Sequence, residues 1–65
     1  MKEGDLVRVN ALGAALLPQA VEKHGYLWLV ENRYSKNRIH CVSLATGHGG
    51  WWEKNELEKA DVQEG

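Results

Sequence analysis

A chain of 65 residues with one cysteine and a formal net charge of -1 has room for a single domain, and a domain of that size hides only about 60% of its unfolded surface. One cysteine excludes an internal disulfide, so packing must hold the fold and a reducing, cytoplasmic setting is expected. Near-neutral charge excludes a grip on nucleic acid through bulk positive charge. No run approaches the roughly 18 apolar residues of a membrane span, and the start MKEGDLVRV lacks a signal-peptide core.

Charge is nevertheless uneven. Between Lys23 and His40 four basic residues (Lys23, Arg33, Lys36, Arg38) stand against Glu31, whereas from Trp51 onward five acidic residues stand against Lys54 and Lys59. Two solvated surfaces of opposite sign are expected.

The first strand is predicted over about Asp5 to Val9, where GDLVRV alternates so that Val7 and Val9 share one face and Leu6 and Arg8 the other. NALGAALLPQAVEKHG follows as a long, partly helical loop. Pro18 suits the first turn of a helix, Gly25 sits where a C-terminal capping glycine belongs, and Leu16, Leu17 and Val21 are expected to pack the segment down.

Tyr26 to about Arg33 forms the second predicted strand. Its apolar residues fall on both faces, which suits a strongly bent strand shared by two sheets of a small barrel. Ser35 to Asn37 supply a turn, with Asn37 able to take a left-handed backbone. The third strand runs from about Arg38 to Ala45, and Thr46 to Gly50 read as a flexible loop. Trp51 and Trp52 begin a short fourth strand, Asn55 to Leu57 fit a tight 3₁₀ turn, and Glu58 to Val62 a closing strand, with residues 63–65 expected to fray.

Five short strands, a long first loop, a central hairpin and a tight turn before the last strand resemble the all-β, five-stranded SH3-like barrel. Its most specific part here is GWWEKNELEKAD, Gly50 to Asp61. The opening GDLVRV is also similar to KOW-type and photosystem-accessory barrels, and small phage and prophage accessory proteins look like the whole. Signalling SH3 domains carry a proline where this chain has Glu53 and a tyrosine where it has Glu56. The resemblance therefore implies the barrel without polyproline binding.

Adjacent residues of a strand face opposite ways, so Trp51 and Trp52 cannot both enter the core; the resemblance puts Trp52 inside and leaves Trp51 at the surface as an interface anchor. Tyr26 and Tyr34, with Leu16 and Leu17 from the first loop, complete the expected partner-binding set. Exposure of Leu12, Leu16 and Leu17 together would also favour a homodimer.

The alternative is a nucleic-acid surface at the hairpin, where Arg33, Lys36 and Arg38 surround Tyr34. His24, His40, Cys41 and His48 lack metal-ligand spacing, so no metal or other cofactor is expected. His40 and Cys41 project apart on one strand, which denies the thiol a neighbouring base. A non-catalytic protein-binding module or small accessory protein, not an enzyme and not membrane-bound, is the expected function.

Overall fold

The computed structural model describes residues 2–60; the side chains of Asn32 and Arg33, and residues 61–65, lie outside that description. The fraying expected at 63–65, the final strand's reach to Val62 and the Arg33 side chain therefore fall outside the described residues. Strands β1 (Leu6–Val9), β2 (Leu27–Ser35), β3 (Arg38–Ser43), β4 (Gly49–Glu53) and β5 (Leu57–Lys59) form one antiparallel sheet in the order β4-β3-β2-β1-β5. Helices α1 (Ala11–Leu16) and α2 (Pro18–His24) join β1 to β2, and the 3₁₀ turn η1 (Lys54–Glu56) joins β4 to β5. This is a small, mostly β domain compatible with a barrel-like fold. Its sheet does not close, because β4 and β5 remain the two edges.

One face of the sheet carries the core. Val7 and Val9 from β1, Trp28 and Val30 from β2, Ile39 and Cys41 from β3, Trp52 from β4 and Leu57 from β5 are buried together, with Val21 of α2 set against them. Cross-strand pairing aligns them: Val7 opposes Trp28, Val30 opposes Cys41, and Ile39 opposes Trp52. The Trp28 and Trp52 rings meet edge to face at 5.3 Å, the geometry that indole quadrupoles favour. Trp28 Nε1 donates to the Gly25 carbonyl, tying the end of α2 to the core.

The opposite face corrects the idea that β2 serves two sheets. Leu27 and Leu29 are exposed there, in rows with Leu44 and with Leu6 and Val42. A single layer uses only alternate residues of β2, and the apolarity of the others goes into an outer sheet face.

The first connection is more helical than a loop. Pro18 does open α2 and Gly25 caps it with a positive φ of 83°. Asn10 caps α1, accepting from the Gly13 amide while its Nδ2 donates to the Asn55 carbonyl, so this one side chain binds the helix to η1. Val21 is buried as expected. Leu16 and Leu17 are not: they sit on the solvent side of the α1–α2 junction.

Other boundaries shift by a few residues. β4 begins at Gly49 because Gly49 and Gly50 pair with Val42 and Cys41, and η1 and β5 each start one residue early. The left-handed turn residue is Lys36, at φ 56°, and not Asn37.

Candidate functional site

The alternation of β4 sets the site. Trp52 points into the core and is almost fully buried, whereas Trp51 points the other way and is 41% exposed. His40, its partner across the β3–β4 pair, meets the Trp51 ring edge to face at 5.0 Å. His40 is fixed in turn: Nδ1 donates to Glu31 Oε1 at 2.6 Å, and the ring lies over Gly49, where an added Cβ would come within 2.8 Å of Cε1. A side chain at 49 would therefore have to push the His40 ring aside, and the Glu31–His40 pair holds the surface against which Trp51 rests.

Facing β4, α2 leaves a cleft of about 240 Å³. Leu17, Ala20 and Lys23 of the helical side face Gly50, Trp51 and Trp52 of the strand. His24 and His48 form its upper end, stacked with ring centroids 4.1 Å apart and planes 5° from parallel. His24 Nδ1 lies 2.8 Å from Thr46 Oγ1, and its backbone carbonyl accepts from the Ser43 hydroxyl. Partial loss of hydration, then the neighbouring His48 and Lys23, lower the His24 pKa. A second recess, lined by Leu16, Leu17, Arg38, Trp51, Glu53 and Glu56, continues along β4 toward η1. Leu16 is 58% and Leu17 43% exposed, so the two leucines and Trp51 border one lengthwise groove.

The register shows which backbone groups face that groove. Ser43 bonds to His48 and Lys54 to Asn37, so the hydrogen-bonded pairs with β3 fall at Gly50 and Trp52. Antiparallel strands alternate bonded and non-bonded pairs, which leaves the amide and carbonyl groups of Gly49, Trp51 and Glu53 pointing away from β3. The Glu53 amide is satisfied by the buried Glu56 carboxylate at 2.8 Å. Behind the groove, Trp52 Nε1 is buried without a hydrogen-bond partner among the described residues.

Of the expected binding residues, Trp51, Leu16 and Leu17 come together here. Tyr26 and Tyr34 are exposed but border neither recess. Tyr34 belongs to the end of the β2–β3 hairpin, where Lys36, Arg38 and Glu53 line a separate hollow; the acid among the bases weakens that surface for phosphate. Leu12 is exposed on α1.

The Cys41 thiol is buried on the core face, away from His40, and burial followed by the Glu31 charge pushes its pKa up to about 11. Among the described residues no three His, Cys, Asp or Glu side chains converge as metal ligands, and no helix is long and apolar enough to cross a membrane.

Lys23, Ala20 and Gly50 are groove residues outside the expected binding set, as are the stacked His24 and His48, which the sequence offered only as rejected metal ligands. The signal available for Lys23 and Ala20 was their spacing of three on a short helix, which puts them on one side. Nothing in the sequence links His24 to His48. No protein-family model, curated protein or solved structure matches the chain.

Proposed function

We propose that this chain is a non-catalytic protein-binding module on an SH3-like frame, with the groove between α2 and β4 as its docking site and Trp51 as its anchor. The frame is favoured by the order of elements, in which a meander of four strands is followed by η1 and a fifth strand returning beside β1. The observation that carries the function is the meeting of an exposed indole and two exposed leucines along one concave edge, apolar beside α2 and more polar toward η1, where Arg38, Glu53 and Glu56 join the lining. Burying such side chains drives association, and aromatic anchors in desolvated recesses contribute most of it. Nucleic-acid binding at the hairpin, through Arg33, Lys36, Arg38 and Tyr34, has less behind it, since Glu53 shares the hollow that Lys36 and Arg38 line.

Linear peptides selected on the protein from a random display library provide the test. Trp51→Ala and Leu17→Glu should each weaken the strongest selected peptide by about tenfold or more, with the circular dichroism spectrum unchanged. Binding that survives both substitutions contradicts the proposal.

A further inference from the structure

The two sheet edges are treated differently. β5 is three residues long and carries Glu58 and Lys59, a short and charged edge of the kind that resists pairing. β4 is longer, and Gly49-Gly50-Trp51-Trp52 contains no charge, proline or bulge before Glu53. Nothing among the described residues pairs with its outward amide and carbonyl groups at Gly49 and Trp51. An apolar groove with an unpaired strand as its wall can be matched only by a ligand that brings its own extended backbone: a helix has spent its amides internally, and a side chain cannot satisfy two sites two residues apart.

Charge marks the ends of the groove. Lys23 stands beside the His24–His48 pair at one end, whereas at the other Glu53 and Glu56 outnumber Arg38. A single extended segment needs no room beyond the groove, whereas a second copy would have to seat its own α1–α2 junction beside this one.

Resting on the protein-binding reading above, we infer that the groove takes one extended peptide segment, which adds to β4 as a sixth strand through the backbone of Gly49 and Trp51. An apolar side chain of that segment enters between Leu17 and Ala20 on one wall and Trp51 and Trp52 on the other, with an acidic residue at the Lys23 end and a basic residue at the Glu53 end.

The experiment uses the strongest peptide from the display library and methylates its backbone nitrogens one at a time. Strand addition predicts that two nitrogens, two residues apart, each cost about tenfold in affinity when methylated, while the nitrogen between them costs less than about twofold. Replacing the Gly50–Trp51 amide by an ester in a synthetic chain, which removes the Trp51 amide and keeps its indole, should cost about tenfold as well. Lys23→Glu should weaken peptides with the acidic end a few-fold. A peptide that needs Trp51 and Leu17 but tolerates every methyl group and the ester overturns strand addition and leaves the protein-binding reading standing. Failure to select any peptide, or a peptide indifferent to Trp51→Ala and Leu17→Glu, removes both. A dimer in light scattering that the peptide cannot dissociate makes a second copy the occupant and overturns the inference.

Discussion

Gly13 shows how much of this fold depends on single atoms. A Cβ there would stand 2.7 Å from Val9 Cγ1 and 2.8 Å from the Glu56 carbonyl oxygen, both closer than packing allows. Gly13→Ala, a helix-favouring change in isolation, should therefore destabilise the protein by about 1–3 kcal/mol in urea unfolding. Unchanged stability would mean that α1 does not press on β1 and η1 as described. In the sequence this glycine reads as an interruption of an alanine and leucine run, because the close approach that demands it involves residues distant along the chain. Trp51 and Trp52 are the opposite case: strand alternation alone separates them, and their burial follows that parity. His24 also escapes sequence reasoning, since its neighbour in space is His48. Its lowered pKa means that the folded state favours the neutral ring, so the unfolded chain binds the proton first. Stability linked to His24 is then present above the ordinary histidine range and falls as pH drops through it. In an NMR titration the His24 ring should have a midpoint below about 6.5, and His48→Ala should raise it toward that value. A midpoint at or above the ordinary one would contradict the stacked arrangement.

At the scale of elements, the strands were readable because each is short, apolar and bounded by turn residues, as with GDLVRV for β1 and RIHCVS for β3. The α1 helix was not. Its six residues are too few to be helical alone, and it stands only because Asn10 caps it and η1 receives it. The outer face of β2 misled for a related reason: Leu27 and Leu29 look like core residues until cross-strand rows place them beside Leu44 and Leu6 on the uncovered side. The β2–β3 hairpin turns through Lys36 in a left-handed conformation that side chains disfavour. Lys36→Gly should relieve it and stabilise the protein by a few tenths to about 1 kcal/mol, read as a higher urea midpoint at constant slope. A loss of stability would place the turn elsewhere.

For the whole molecule, the consequence of leaving the sheet unclosed is a usable edge. Closing η1 and β5 against β1 secures one side of the domain, and the helices that cover the core stop short of β4, which leaves the groove beside it. Strand parity with the SH3-like resemblance led to Trp51, and the apolar first loop to Leu16 and Leu17, but the groove they share depends on how α2 lies against β4, which no pattern within either segment encodes. Amide hydrogen exchange on the free protein tests the open edge most directly. The amides of Gly50 and Trp52, bonded to β3, should be protected, and that of Trp51 should exchange at least about a hundredfold faster than that of Trp52. Equal protection of Trp51 and Trp52 would mean that β4 is already paired on both sides, and the edge proposed as a docking site would not exist in the free protein.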